Sequence, residues 1–357
     1  MPADPRLAAL ARWIQELGGF DPGSLRTASA DASFRRYFRL RREDGTSWIA
    51  MDAPPGKEDL ATYLAVSALL ETCQVHVPRV LAAATGQGFA LLEDLGDTHM
   101  LTALDRGADA GRLYADALDT LARLQLNGAQ VAHQLPAYDE ATLLREMQLL
   151  PDWYCAHHLQ LRLTASDNAL LARTFDWLAR QALLQPQVFV HRDYHSRNLM
   201  IVERLSPGVI DFQDALRGPV GYDPASILKD CYVDWPRTQV EDWLHGYRRR
   251  LMAGGAEGKA LAGESDQQFL RWFDLVGLQR HIKVLGIFAR LCWRDGKTGY
   301  LNDLPRTLAY VQAVVRLYPE LAEFATFVDA RLAPGLDAAN GRALAHAMQA
   351  ASSPAPA

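Results

Sequence analysis

Three short, oxygen-bearing side chains follow apolar strands in the second half of the sequence. Residues 188–190 are apolar and lead into the tripeptide His-Arg-Asp that ends at Asp193, and Asn198 follows five residues later. A second apolar pair, residues 209–210, leads into Asp211. Phosphoryl transfer needs a carboxylate to orient and deprotonate the attacking hydroxyl, and an amide and a second carboxylate to hold magnesium against the phosphates. We therefore predict that Asp193 is a catalytic base and that Asn198 and Asp211 bind Mg²⁺.

Each aspartate also has a purely structural explanation, because a carboxylate that follows a strand often caps a turn. The joint spacing favours the chemical explanation. It follows the kinase pattern H-R-D-x-x-x-x-N and a later D-F-G, with Gln213 in place of the glycine.

A sheet-rich segment precedes these residues. We predict an N-terminal helix that is capped by Asp4, begins at Pro5 and ends at Gly18. A second helix is predicted at residues 58–73. Alternating apolar residues and turn signals predict strands on either side of that helix: residues 34–40, Ser47–Asp52, residues 79–84 and residues 88–93.

The remainder of the chain has mainly helical periodicity. Helices are predicted at residues 113–126, 140–158, 167–184, 240–251, 267–293 and 305–317. Strands are predicted only at residues 188–190, 199–202 and 209–210. The sequence thus predicts an α+β, bilobal fold, with a sheet-rich N-lobe of residues 1–94 and a larger, mainly helical C-lobe of residues 95–350. Residues 351–357 are small and proline-rich and are predicted to be disordered.

The composition excludes several classes of protein. The chain has 357 residues, a formal net charge of −5 and 49% hydrophobic residues, so it can bury a large core and offers no basic surface for nucleic acid. Its four cysteines lie far apart without a CxxC pair, which argues against a zinc site or a disulfide framework. No signal-peptide pattern or apolar run of ~20 residues is evident. We expect a cytoplasmic protein with a small-molecule substrate, no membrane association and no obligate protein partner.

Several segments together carry a resemblance to a known family. Residues 29–39 (SADASFRRYFR), 51–55 (MDAPP), 91–97 (LLEDLGD), 188–200 and 209–232 resemble, in order, the aminoglycoside phosphotransferase family. That resemblance implies a protein-kinase-like fold that binds ATP and Mg²⁺ between its lobes. More narrowly, the sequence is similar to the bacterial anomeric sugar kinases of cell-wall recycling, which phosphorylate N-acetylmuramate and N-acetylglucosamine.

The resemblance also implies nucleotide-binding residues. The backbone of Glu93 and Leu95 would receive the adenine, although an ordinary strand that ends in a turn also explains this stretch. Independently of the resemblance, the hydroxyls of Ser29 and Ser33 are able to donate to phosphate, whereas Asp31 would repel it if it pointed inward. Asp223 would brace the catalytic loop as the matching kinase aspartate does, or would cap the following helix.

Two departures from the kinase pattern concern the phosphates. The loop at residues 29–33 has no glycine, and the strand position that holds the phosphate-binding lysine is Met51. The usual glutamate partner is not evident in the helix at residues 58–73, and losing both members of an ion pair is self-consistent because a lone buried charge is costly. An arginine of residues 34–40 is the candidate substitute, either Arg36 or, on the opposite face of the strand, Arg35 or Arg39. The alternative is that these arginines form a solvated strand edge.

Other residues keep two explanations. His195 and Arg197 lie in the catalytic loop and are positioned to contact phosphate or substrate, or to bond nearby backbone. His281 is expected to be a core histidine. The residues Trp235, Trp293 and Arg294 suit a sugar platform, although aromatic side chains at such spacing are more often part of the core.

Two rival functions stay open at this point. One is another small-molecule kinase of the same fold, acting on an aminoglycoside, choline or homoserine. The other is a pseudokinase, which Met51 favours and the intact set of Asp193, Asn198 and Asp211 opposes.

Overall fold

The computed structural model describes residues 4–30 and 34–352. Two compact units make up the chain: the first comprises Met1–Gly128 and Arg197–Ala215, and the second comprises Ala129–Ser196 and Leu216–Ala357. The lobe boundary predicted after residue 94 lies within the first unit and stays a prediction. The tail predicted to be disordered at residues 351–357 falls, from residue 353 onwards, outside the described residues.

The first unit contains a five-stranded antiparallel sheet in the order β1-β2-β3-β5-β4. Its strands are β1 (Phe20–Ala30), β2 (Arg36–Arg42), β3 (Ser47–Asp52), β4 (Val80–Ala84) and β5 (Phe89–Glu93). The sequence predicts the last four within two residues but misses β1. That strand contains a proline and a glycine, and its pairing with β2 shifts register twice, so no alternation of apolar side chains marks it.

One face of this sheet is covered by α1 (Pro5–Leu17), which is capped as predicted. The Asp4 carboxylate accepts from the backbone N–H of Arg6 and Leu7, and Gly18 ends the helix at a positive φ of 69°. The buried core between helix and sheet consists of Leu10, Trp13, Ile14, Phe38, Leu40, Trp48, Ala50, Phe89 and Leu91.

The pairing of β2 with β3 determines which side chains share a face of the sheet. Arg36 pairs with Asp52, and Tyr37 pairs with Met51. Because successive strand residues point to opposite faces, Arg36 shares the α1 face with Phe38, while Met51 lies on the other face.

Three helices and a hairpin complete the first unit. The helices are α2 (Leu60–Thr72), α3 (Met100–Asp105) and α4 (Ala110–Gly128), and the hairpin is formed by β7 (Leu199–Met200) and β8 (Gly208–Val209). The backbone N–H of Ile201 donates to the carbonyl of Thr98, and that of Val209 donates to the carbonyl of His76. These two hydrogen bonds connect the hairpin to the rest of the unit.

The second unit is mainly helical, around one long helix. Its helices are α5 (Glu140–Met147), α6 (Ala165–Leu183), α7 (Tyr222–Leu228), α8 (Arg237–Ala253), α9 (Gly255–Leu261), α10 (Asp266–Asp295), α11 (Leu304–Val315), α12 (Ala322–Phe327) and α13 (Leu336–Ser352). The central element is α10, which packs against α5, α6, α7, α8 and α11. A two-stranded sheet of β6 (Gln187–Val190) and β9 (Leu216–Pro219) leads the chain into residues 191–196, the predicted catalytic loop that contains Asp193.

The structure corrects two details of this unit. The helix predicted at residues 140–158 is interrupted, because α5 is followed by a π-helical segment, Leu150–His158, that begins beside Pro151. Proline lacks the N–H of the α-helical ladder, so the ladder changes its spacing there. β9 was not predicted, and it contains Gly218, at which an added Cβ would lie 3.1 Å from Tyr138.

A close approach fixes α10 against the segment that joins α5 to the π-helical turn. A Cβ added to Gly286 would lie 2.3 Å from the carbonyl carbon of Leu149. Glycine is therefore required at this position of α10.

No helix within residues 4–30 and 34–352 is both long enough and apolar enough to cross a membrane.

His281 lies wholly inside the second unit, as expected of a core histidine. Its Nε2 is 2.9 Å from the carbonyl of Lys229, and its ring stacks on Tyr310. Burial, together with the charge of Arg280, holds the pKa of His281 well below its usual value. His281 is therefore neutral in the folded protein at pH values where an unfolded histidine becomes protonated.

We predict that this histidine makes stability depend on pH. Its depressed folded-state pKa gives a contribution that is complete above the unfolded value of ~6.5 and is lost as the pH falls below it, with a slope of at most about 1.4 kcal/mol per pH unit. His281→Gln keeps an N–H donor for Lys229 but cannot titrate. The stability advantage of the unaltered protein over this variant, measured by urea unfolding, should shrink from pH 7 to pH 5. A constant difference would contradict the assignment.

Candidate functional site

The catalytic loop of the second unit is held at its start by Asp223. The backbone N–H of His191 donates to Asp223 Oδ2 at 2.7 Å, and that of Arg192 donates to Asp223 Oδ1 at 2.9 Å. Burial raises the pKa of Asp223 to about 7, although both N–H groups act in the opposite direction. Asp223 makes no capping bond to α7, whose N-cap residue is Gly221. Of the two roles considered from the sequence, the structure thus selects the brace.

A second aspartate holds the end of the same loop, and sequence reasoning missed it. Asp230 accepts from the backbone N–H of Ser196 at 2.9 Å and from that of Tyr232 at 3.0 Å. It follows α7 closely, and no motif distinguished it from a surface carboxylate.

Arg192 occupies a backbone conformation that disfavours side chains, with φ = 82°. Its guanidinium forms an ion pair with the buried Glu146 of α5. Lys283 of α10 lies 3.1 Å from the same carboxylate and 3.2 Å from the hydroxyl of Tyr222. The strained residue thus belongs to a buried ionic cluster, which stabilises the conformation of the loop.

These charges act on Asp193, which the structure leaves partly exposed. Burial alone would raise the pKa of Asp193, but the charges of Lys283, His195, Arg192 and Arg280 outweigh it and leave that pKa below its usual value. The carboxylate is therefore ionised at neutral pH and able to accept a proton. The ring of His195 packs edge-on against Tyr232 in the same unit.

In the first unit, the structure brings Asn198 and Asp211 together. Asn198 Nδ2 lies 3.4 Å from Asp211 Oδ2, and the N–H of Ile210 donates to the carbonyl of Asn198 at 3.0 Å. Asp211 has φ = 63°, a left-handed conformation that aspartate tolerates better than most residues. The Gln213 amide donates to Asp211 Oδ1 at 3.0 Å, which shows what the residue in place of the motif's glycine does.

Arg35 lies beside this pair and is largely buried. Its Nη2 is 3.2 Å from Asp211 Oδ1, and its Nε is 3.4 Å from Glu58 Oε2. The second oxygen of Glu58 accepts from the backbone N–H of Phe34 at 2.9 Å. An arginine–glutamate pair is therefore present, where the sequence suggested that both members of the usual pair were absent. Glu58 lies inside the helix predicted at residues 58–73 but precedes the observed α2, and nothing in its local sequence distinguished it as the partner of Arg35.

Met51 lines a cavity of about 320 Å³ together with Arg35, Glu58, Tyr63 and Gln213. The thioether thus lies in the surroundings where a lysine was expected. Methionine is neutral, and the cationic side chains that line this cavity are those of Arg35 and Lys57. Of these two, Arg35 is the one that contacts Asp211.

The other two candidate arginines have different partners. Arg36 pairs with Asp52 and Asp4 on the face covered by α1. Arg39 pairs with Asp94, its Nε lying 2.6 Å from Oδ2, and it also contacts Asp97. Both arginines have carboxylate partners within the first unit, but Arg35 is the one that the structure places at Asp211.

Glu93 and Leu95 lie at the end of β5, as expected for a segment that leaves the sheet. The N–H of Glu93 already donates to the carbonyl of Arg79, and Leu95 is buried. Ser29 lies near the end of β1, and Ser33 falls outside the described residues.

The side-chain oxygens of Asn198 and Asp211 are suitable ligands for a magnesium ion that is also bound by the phosphates of a nucleotide. Within residues 4–30 and 34–352, no group of three histidine, cysteine or acidic side chains is arranged to hold a metal by itself. Magnesium usually takes one or two protein carboxylates and completes its shell with water and substrate phosphate. One carboxylate and one amide fit that requirement.

Of the residues considered for a sugar platform, Trp293 is partly buried and donates from its Nε1 to His158 at 3.2 Å. Trp235 packs edge-on against Trp243. Arg294 is exposed and pairs with Asp295.

Sequence comparison finds a matching family profile and similar proteins of named activity. The profile of the phosphotransferase enzyme family matches residues 24–261. A Pseudomonas aeruginosa protein named N-acetylmuramate/N-acetylglucosamine kinase is 48% identical over 319 residues, which cover 89% of this chain and 90% of that protein. A Neisseria meningitidis protein of the same name is 43% identical over 320 residues, covering 89% of this chain and 93% of its own.

Solved structures agree on the fold. An ethanolamine kinase of Plasmodium vivax aligns with a TM-score of 0.60 at 14% identity, over 89% of this chain and 88% of that one. An ADP-bound aminoglycoside phosphotransferase aligns with a TM-score of 0.55 at 14% identity, over 85% of this chain and 97% of that one. The predicted α+β, protein-kinase-like fold is thus confirmed. With the match to its profile over two thirds of the sequence, this chain belongs to the phosphotransferase enzyme family.

Proposed function

We propose that this protein is an ATP-dependent kinase that phosphorylates the anomeric hydroxyl of N-acetylmuramate and N-acetylglucosamine. The observation that carries the proposal is the similarity, over about nine tenths of both chains, to proteins named as kinases of these two sugars. The presence of Asp193, Asn198 and Asp211 supports catalysis and opposes a pseudokinase. Four buried, free cysteines fit a reducing, cytoplasmic location.

Asp193 is the proposed base. Its pKa is held below the usual value, so at neutral pH it is ready to accept the proton of the acceptor hydroxyl. As the oxygen of that hydroxyl bonds to the γ-phosphorus, the bond to the ADP oxygen breaks and the proton passes to a carboxylate oxygen of Asp193. Asp223 and Asp230 hold the two ends of the loop that carries this base.

Asn198 and Asp211 are the proposed magnesium ligands. A bound Mg²⁺ would neutralise charge on the phosphates of ATP. Arg35 is the proposed phosphate cation, in place of the lysine that Met51 replaces. It lies against Asp211 and is oriented by Glu58, as the kinase lysine is oriented by its glutamate. The sequence-based candidates Ser29, Ser33, Glu93 and Leu95 stay predictions for the nucleotide. In this proposal Arg35 takes the place of Arg36, the sequence-based candidate for the phosphate cation, because Arg36 is paired with Asp4 and Asp52.

The anomeric position is the choice that suits a plain carboxylate base. The ring oxygen withdraws electron density, so the anomeric hydroxyl is more acidic than the other hydroxyls of the sugar. Its proton is easier for Asp193 to accept, and positioning of the two reactants supplies much of the remaining acceleration.

Asp193→Asn should abolish turnover and leave the affinity for Mg-ATP nearly unchanged, because the base acts on the acceptor and not on the nucleotide. Asp211→Ala is the matched comparison, since it removes a proposed metal ligand and should weaken Mg-ATP binding itself. Calorimetric titration with Mg-ATP and a coupled assay of ADP release separate the two effects. Activity of Asp193→Asn above a tenth of the unaltered enzyme would remove Asp193 from its role.

Arg35→Ala should raise the KM for ATP or lower kcat by about tenfold or more, because a hydrogen-bonded charge is lost from the phosphates. Arg36→Ala is the control, since Arg36 is paired with Asp4 and Asp52. Steady-state kinetics should be measured together with thermal unfolding, so that a loss of fold is not mistaken for a loss of binding. If Arg36→Ala impairs ATP use and Arg35→Ala does not, the assignment of the two arginines is reversed.

The product should be a glycosyl phosphate. It should lose phosphate in mild acid, because cleavage gives a stabilised oxocarbenium ion, and it should not reduce copper because the reducing end is blocked. An acid-stable, reducing product would show that another hydroxyl is phosphorylated. Turnover of an aminoglycoside or choline in place of both sugars would overturn the proposed substrate class.

A further inference from the structure

Arg290 is a half-buried arginine of α10 whose charge is not neutralised within the part of the chain that the structure describes. Its Nε is buried and has no hydrogen-bond partner among those residues. Burial and the charge of Arg294 lower the pKa of Arg290, and Asp295 only partly offsets them. Arg294 pairs with Asp295 at 2.7 Å. Arg290 therefore remains the cation in this part of α10 that most needs an anion.

The position of Arg290 on α10 relates it to the proposed base. Lys283 precedes Arg290 by seven residues, which is nearly two helical turns, so the two side chains share one face of the helix about 10 Å apart along its axis. Lys283 belongs to the cluster with Glu146, and its charge lowers the pKa of Asp193. Arg290 thus extends the helix face that reaches the catalytic loop.

Solvent access increases along this face towards the end of the helix. The side chain of Lys283 is 8% exposed, Arg290 is intermediate and Arg294 is 55% exposed. Arg290 is thus partly exposed, and it is sufficiently buried for a charge-assisted hydrogen bond to be stronger than it would be in water.

The two proposed acceptors differ by one anionic group. N-acetylmuramate carries a lactyl ether with a carboxylate on the third carbon of the ring, where N-acetylglucosamine has a hydroxyl. That carboxylate is the anion that a planar, five-donor guanidinium binds best, since two parallel N–H···O bonds are possible. The carboxylate stands on a carbon two positions from the reacting one, so a cation that binds it must lie apart from the base.

We infer that Arg290 binds the lactyl carboxylate of N-acetylmuramate and so determines the preference of this enzyme between its two sugars. The inference rests on the proposed function, since it concerns the acceptor of that reaction. Arg290 contacts the substrate at a distance from the reacting atoms. It contributes to binding and takes no part in proton transfer.

The experiment compares kcat/KM for both sugars in the unaltered enzyme and in Arg290→Ala, Arg290→Gln and Arg294→Ala. Arg290→Ala and Arg290→Gln should each lower kcat/KM for N-acetylmuramate by about tenfold to a hundredfold, mainly through KM, because a charge-assisted bond is lost. Their values for N-acetylglucosamine should stay within about twofold of the unaltered enzyme. Arg290→Gln keeps most of the side-chain volume, so it answers the question even if Arg290→Ala folds poorly.

Arg294→Ala controls for the general positive field of the helix end. It should change kcat/KM for N-acetylmuramate much less than Arg290→Ala, because Arg294 is exposed and paired with Asp295. If both variants lose kcat/KM for N-acetylmuramate equally, the effect comes from the positive field of the helix end and not from a direct contact of Arg290. That result would overturn the inference. Equal losses for the two sugars would also overturn it, since a structural role of Arg290 does not distinguish them.

Failure of the proposed function gives a different result. If the unaltered enzyme turns over neither sugar, the proposed substrates are wrong and the role of Arg290 is rejected with them. If it turns over both, and the Arg290 variants keep the same ratio of kcat/KM for the two sugars, the proposed function stands and only the role of Arg290 is rejected.

Discussion

The catalytic segment of the second unit depends on one buried carboxylate, that of Asp223. Two consecutive backbone N–H groups, those of His191 and Arg192, donate to its two oxygens. A carboxylate in such surroundings is costly unless its oxygens are satisfied, and backbone N–H groups without partners are costly too. Each side therefore removes the penalty of the other, and the loop has one favourable arrangement. These bonds stabilise the unusual φ of Arg192 and fix the backbone position of the next residue, Asp193.

The first unit meets an electrostatic requirement with an unusual set of residues. A lysine from the third strand of the sheet and a glutamate from the following helix commonly supply the phosphate cation and its partner in kinases. Here the strand position holds Met51, and the ion pair joins Arg35, before β2, to Glu58, before α2. Neither residue lies inside a regular element. Guanidinium presents a rigid fork of donors, so Arg35 bonds Glu58 and Asp211 simultaneously, which a single ammonium on a flexible chain does with less geometric definition.

Local sequence predicts part of this candidate site and misses the rest. The stretch from His191 to Asn198 is short, and its spacing alone indicated which residues carry oxygen ligands. Glu58 and Asp230 were missed because their partners, Arg35 and the N–H of Ser196, lie more than twenty residues away. Alternation placed Arg35 and Arg36 on opposite faces of the predicted strand, but it does not say which of the two faces meets Asp211. The strand β1 was missed for a related reason, since its pairing with β2 is irregular and leaves no period of two.

Gly286 limits which length changes are tolerated in α10, the helix that carries Arg280 and Lys283. Since the backbone of Leu149 occupies the space of a Cβ there, α10 cannot slide or rotate against that segment without a clash. One inserted or deleted residue between Lys283 and Gly286 would turn the two halves of the helix by about 100° relative to each other. Either the glycine would leave its contact or Lys283 would leave Glu146. Length changes in this family should therefore accumulate in the connections around α10, while its central turns keep a fixed count of residues.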